Sequence, residues 1–112
     1  MFSFRSKYFQ YYTIYNMYKQ HKIVGTYYLR RDNYIYNLSI KEEYRGRKYS
    51  HKLIEHCIQK NNLNNPLVLN VFEKNTKAVN LYKSQNFKIV HEQYHKKYKE
   101  YIYTMIYEEE VK

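Results

Sequence analysis

Residues 69–87 read LNVFEKNTKAVNLYKSQNF, and the order of patterns in this stretch decides the fold. The run from Pro66 through Leu67, Val68, Leu69, Asn70 and Val71 to Phe72 is short and mostly apolar, as a buried strand is. It breaks at Glu73, Lys74 and Asn75. A helical period follows, with Ala78, Leu81 and Tyr82 spaced i, i+3 and i+4 on one face. The helix ends at Asn86, because asparagine is next to glycine in tolerating the left-handed conformation that closes a helix. Phe87 then opens a new strand.

Working outward toward the N-terminus, residues 49–61 are helical, with Leu53, Ile54, Cys57 and Ile58 forming an amphipathic stripe. Residues 61–66 are a loop rich in asparagine. Before that helix lie three runs of β-branched and aromatic residues, at 11–19, 23–31 and 34–40, joined by short turns. They form an antiparallel meander. Gly25, inside the second run, marks a bulge or a close backbone approach. The strand at 34–40, the helix and the strand at 67–72 make a β-α-β crossover, which requires those two strands to be parallel. Toward the C-terminus, strands at 87–92 and 101–107 flank the basic stretch 94–99, and Glu108, Glu109 and Glu110 form a solvated tail. The order β-β-β-α-β-α-β-β is α+β. With 112 residues the chain is a single domain, residues 1–112, with one core.

The formal charge of +10 favours polyanionic partners and repels polycations. No apolar run is long enough to cross a bilayer, and the N-terminus lacks the apolar core of a signal peptide. Cys57 is the lone cysteine, so a disulfide framework and a cysteine-based zinc site are both excluded. The five histidines show no metal-ligand spacing, and no metal is expected. A reducing, cytoplasmic setting fits. The seventeen tyrosines stand in for phenylalanine and leucine in the core. A nucleic-acid platform would instead need tyrosines alternating with basic residues on one exposed face.

The motif L-x-V-x-x-x-N-x-x-A-x-x-L-Y-x-x-x-G-F, present here from Leu69 to Phe87 with Asn86 in place of its glycine, resembles the second half of the acetyl-CoA site of the GNAT acetyltransferases. A second stretch supports the resemblance. Arg45-Gly46-Arg47-Lys48-Tyr49-Ser50 follows a strand and opens a helix, where unpaired N–H groups and a partial positive charge suit a phosphate. It is similar to the pyrophosphate loop Arg/Gln-x-x-Gly-x-Gly/Ala of that family. Arg45 matches the first position, Lys48 replaces the first glycine, and Ser50 replaces the second small residue. Lys48 either crowds the loop or adds a contact to phosphate.

The resemblance covers residues 11–107 and implies a GNAT-like fold. The first strand and N-terminal helices usual in the family are missing or shortened, and residues 1–10 are the end of one helix. It implies that Leu38, Ser39 and Ile40 pair their backbone with the pantetheine arm of acetyl-CoA. Asn75 caps the second helix beside the cosubstrate, or simply caps it. Tyr82 matches the family tyrosine that protonates the departing thiolate; a phenol stays protonated at neutral pH, since its ordinary pKa of about 10 lies above that of a thiol. The other reading of Tyr82 is one more core tyrosine. Relatives carry a general base at the positions of Asn70 or Tyr34, where this chain has no carboxylate. Glu73, His91 or a held water are the substitutes.

The activity implied is N-acetylation of a primary amine, on a protein or peptide, by direct attack on acetyl-CoA. Cys57 lies on the apolar stripe, so no covalent enzyme intermediate is expected. A homodimer would complete an acceptor wall that the short N-terminus lacks. The rivals are a GNAT-fold binding module without turnover and a basic nucleic-acid-binding protein.

Overall fold

The computed structural model describes residues 1–60 and 65–109. Asn61 to Asn64 of the expected loop, and Glu110 of the expected tail, lie outside the described residues. Strands β1 (Phe2–Tyr8), β2 (Tyr12–Lys19), β3 (Lys22–Arg30) and β4 (Tyr34–Ile40) come first. Helix α1 (Tyr49–Lys60), β5 (Val68–Phe72), α2 (Thr76–Ser84), β6 (Phe87–His95) and β7 (Glu100–Tyr107) follow. The strands form one sheet in the order β1-β2-β3-β4-β5-β7-β6. β4 and β5 run parallel, as the crossover requires, and the other neighbours are antiparallel.

The core lies on one face of this sheet. Met17, Val24, Tyr27, Ile35, Leu69 and Met105 point from the strands toward Leu53, Ile54 and Cys57 of α1 and Val79 and Tyr82 of α2. The helical stripe read from sequence is thus the buried one. Asn86 adopts φ +69°, the left-handed state expected of it. Asn75 caps α2, its side-chain oxygen accepting from the Ala78 N–H at 3.3 Å.

Residues 2–8 are a strand, not the end of a helix. β1 pairs along its whole length with β2, from Phe2 opposite Lys19 to Tyr8 opposite Thr13. Phe2 and Phe4 point to the helical side, where Phe2 meets Tyr49 edge-on and Phe4 stacks on His56 with ring centroids 3.8 Å apart. Ser3, Arg5 and Lys7 point the other way. The period of two is present in the sequence, and it outweighs the helix that the family pattern suggests. A tight turn, closed by the Phe9 N–H donating to Tyr12 O at 2.9 Å, leads directly into β2. β6 also extends to His95, so the basic stretch shrinks to a turn at 96–99.

Gly25 is a close approach. A Cβ there would sit 2.7 Å from Ile40 Cδ1, 3.1 Å from Ser39 O and 3.3 Å from Leu53 Cδ2. Its neighbour Val24 is the extra residue of a bulge against Met17 and Tyr18. A second bulge lies in β4, where Asn37 and Leu38 together oppose Tyr27, and Asn37 takes φ +52°.

Candidate active site

β4 and β5 are in register only at Tyr34–Val68 and Ile35–Leu69. Asn33 sets the start of that pairing: its carbonyl accepts from the Val68 N–H at 2.9 Å, and its side chain donates to Asn65 O at 2.6 Å. Beyond Ile35 the bulge bends β4 away, and the two strands splay. The edge of β4 toward the splay is the backbone of Leu38, Ser39 and Ile40; its other edge stays paired with β3 through Ser39–Thr26 and Ile40–Gly25. A parallel sheet opened in this way exposes backbone groups that an extended ligand can pair.

The chain leaves β4 through a short 3-10 turn (Glu42–Tyr44) and the basic loop, then enters α1. Arg45 Nε donates to the carbonyl of Ile40 at 3.0 Å, latching the loop to the strand end. Gly46 has φ +79° with open space where a side chain would stand. Lys48 has φ +61°, the conformation that glycine adopts without strain. The first turn of α1 carries no acidic residue. Lys19 of β2 joins the cations of the loop, its Nζ donating to Tyr49 Oη at 2.7 Å. Lys19, followed by Arg47, holds the Tyr49 hydroxyl below the ordinary tyrosine range. Nearby in α1, His51 Nδ1 is buried with no hydrogen-bond partner among the described residues. Backbone N–H groups at a helix start and cations gathered beside them are the chemistry that suits an anion.

The acetyltransferase (GNAT) domain family matches residues 3–106. The chain belongs to the GNAT acetyltransferases. No curated protein matches it. Among solved structures this GNAT chain is similar to the ribosomal-protein-S18-alanine N-acetyltransferase of Escherichia coli, with TM-score 0.78 and 18% identity over 89% of this chain and 70% of that one. It is also similar to a Bacillus anthracis protein described as a streptothricin acetyltransferase and solved with acetyl coenzyme A (TM-score 0.77, 19% identity, 91% of this chain, 65% of that one). A spermidine N-acetyltransferase variant of Vibrio cholerae aligns with TM-score 0.77 and 19% identity over 87% of this chain and 64% of that one. At such identities the likeness is one of fold.

Within this GNAT fold the residues expected from sequence fall into two groups. Leu38, Ser39, Ile40, Arg45, Gly46, Arg47, Lys48, Tyr49 and Ser50 form one continuous path from the splay to the start of α1. Asn75 stands apart at the start of α2, and its side chain is spent on the cap. Tyr82 is buried on the face of α2 that carries Val79, with its ring against Phe87. Burial, followed by the neighbouring Cys57, pushes the Tyr82 hydroxyl up to about 12. Cys57 is fully buried, and burial raises its thiol to about 12, which leaves it protonated.

The substitutes for a general base fare differently. His91 lies on β6, and β7 stands between it and β5. Glu73 directly follows β5, exposed, with its N–H donating to Tyr101 O at 2.9 Å. Asn70 accepts a hydrogen bond from Thr104 Oγ1 at 2.8 Å. Lys19, His51 and the β4 bulge lie beside these residues, and sequence reasoning misses all three. Asn37 alone carries a signal, as an asparagine in the middle of a strand that opens Tyr-Ile-Tyr. Among the described residues no group of His, Cys, Asp or Glu could hold a metal ion, and no helix is long and apolar enough to cross a membrane.

Proposed function

We propose that the protein is an N-acetyltransferase that moves an acetyl group from acetyl-CoA to a primary amine on a peptide or protein. The observation that carries this reading is the splay between β4 and β5 leading straight into a cationic helix start, within a GNAT domain. The residues present fit the cosubstrate. The open edge of Leu38–Ser39–Ile40 can pair an amide-bearing arm. Gly46 and Lys48, both left-handed, leave loop N–H groups free to turn toward phosphate, with Arg47 and Lys48 supplying charge.

Acetyl-CoA, when bound, supplies an activated thioester that an amine can attack directly. The chain's own residues then handle two protons. Tyr82 holds one on its Oη at every physiological pH, available to the departing sulfur. The amine must shed the other, and Glu73, at the end of β5, is the carboxylate assigned to receive it. The chain's charge disfavours polycationic acceptors such as polyamines and suits neutral or acidic peptide segments.

Thermal unfolding with and without acetyl-CoA tests the binding half, since a ligand selective for the native state raises Tm. Coenzyme A stripped of its phosphates should raise it much less. An unchanged Tm at millimolar acetyl-CoA would remove the reading altogether. A second reading, a GNAT fold that binds without turnover, draws on Asn70 standing where relatives carry a carboxylate. It predicts the same Tm shift with no thiol released in the presence of peptide amines.

A further inference from the structure

We propose that the helix-free face of the β1–β4 half of the sheet binds single-stranded nucleic acid, with a row of tyrosines stacking on bases and Arg5 and Lys7 meeting phosphates. Both helices cover the same face of the sheet, and among the described residues no helix lies on the opposite face. Five aromatic rings run across that face in one row. Phe9 stacks on Tyr12 at 4.8 Å, Tyr12 on Tyr28 at 5.6 Å, Tyr28 lies 5.2 Å from Tyr36, and Tyr36 stacks on Tyr34 at 6.2 Å. A cation sits over each end of the row: Lys7 Nζ 5.7 Å from the Phe9 ring and the Arg30 guanidinium 4.7 Å from the Tyr34 ring. Beside it, Arg5 covers Tyr18 at 5.1 Å.

Charge selects the occupant. The four strands contain Arg5, Lys7, Lys19, Lys22 and Arg30 and not one Asp or Glu. The acid in the β3–β4 turn, Asp32, is paired with Arg30 through bonds of 2.8 and 2.6 Å. Arg30 is therefore neutralised by its acid, while Arg5 and Lys7, both exposed, have no acid paired with them among the described residues and can meet phosphates. Tyrosines interleaved with cations on an open sheet suit unpaired bases, because every base offers a π-face and stacking is indifferent to sequence. A second copy of this face would bring like charge against like charge, which disfavours self-association.

The test is fluorescence anisotropy with labelled oligo(U) and oligo(dT) strands and a duplex of equal length. Both single strands should bind, and the duplex should bind at least tenfold more weakly, since stacking on each ring adds about tenfold per base. Tyr28→Ala should weaken single-strand binding about tenfold, and Tyr28→Phe should leave it intact. Arg5→Gln with Lys7→Gln changes only exposed side chains and keeps the fold safe. It should lower the slope of log affinity against log salt by about 1.4, or about 0.7 for each phosphate no longer neutralised. Equal affinity for the duplex, or a Tyr28→Ala variant that keeps its acetyl-CoA Tm shift and binds as well as the parent, would overturn the proposal. So would a dimer in sedimentation that Tyr28→Ala dissociates. The acetyl-CoA shift itself is independent of this face, so the two proposals fail separately.

Discussion

Arg45 Nε donates to the carbonyl of Ile40 at 3.0 Å, tying the first cation of the helix-start loop to the last residue of the splayed strand. One side chain thus sets the distance between a backbone edge suited to an amide arm and a loop suited to phosphate. Arg45→Gln removes this latch and one positive charge while leaving α1 and β4 otherwise intact. Acetyl-CoA affinity should fall about tenfold by calorimetry, since the loop is no longer held against the strand end and a cation facing the phosphates, worth about 1 kcal/mol or more, is lost. Tm without ligand should drop by only a few degrees.

Lys48 occupies the left-handed region, at φ +61°, which glycine adopts without strain. Lys48→Gly should raise stability by about 0.5–1 kcal/mol, because relief of left-handed strain exceeds the added flexibility of the unfolded chain. The same change should weaken acetyl-CoA binding and flatten its salt dependence, since it removes a charge from the anion site. Tighter binding after the substitution would mean that the lysine obstructs the loop.

Tyr82→Phe removes a hydroxyl and keeps the ring against Phe87. Stability should fall by at most about 1–2 kcal/mol. Acetyl-CoA affinity should hold, and turnover should drop by roughly 10²-fold. Burial raises the hydroxyl to about 12, so wild-type turnover should show no alkaline decline near pH 10. A decline there would assign the proton to a less buried group.

His56 accepts or donates at Nδ1 with Tyr27 Oη, 2.7 Å away, under the stacked ring of Phe4. Burial lowers its pKa from 6.5 to about 4, with Lys60 adding to the shift. A depressed folded-state pKa stabilises the fold fully above 6.5, and that contribution is lost as pH falls toward and through 4. Urea unfolding should therefore show about 1–2 kcal/mol less stability at pH 4 than at pH 7 from this residue, after allowing for solvent. His56→Gln keeps a polar partner for Tyr27 and should flatten that part of the pH profile.

Gly25→Ala would place a methyl group 2.7 Å from Ile40 Cδ1, between β3 and α1. Overpacking of this kind should cost about 1–3 kcal/mol. Because Ile40 is also the acceptor for Arg45, the substitution should weaken acetyl-CoA binding as well as lower Tm.

Much of this architecture is written in local patterns. The stripe of Leu53, Ile54 and Cys57 becomes the buried face of α1 because a period of 3.6 is recorded residue by residue. Asn86 goes left-handed because few other side chains tolerate that state, and Gly25 is a close approach because a Cβ would collide there. The path from Leu38 to Ser50 needs only a strand followed by a helix. Chain-local chemistry of this kind survives without knowledge of the fold.

Other properties depend on which distant residues meet, and only the tertiary structure decides them. Phe2 and Phe4 alternate visibly, yet their role as a strand rests on pairing with β2 and on rings from α1. Lys19 reaches the start of α1 from thirty residues away, through its bond to Tyr49. His56 is just another histidine until Phe4 and Tyr27 bury it, and Tyr82 gains its raised pKa from packing around α2. The division of the tyrosines is the clearest case. Tyr27 and Tyr82 are buried on the helical side, while Tyr12, Tyr28, Tyr34 and Tyr36 line the open face. In a strand each residue's side is set by its register against neighbours and by where the helices land, and seventeen tyrosines do not carry that information singly.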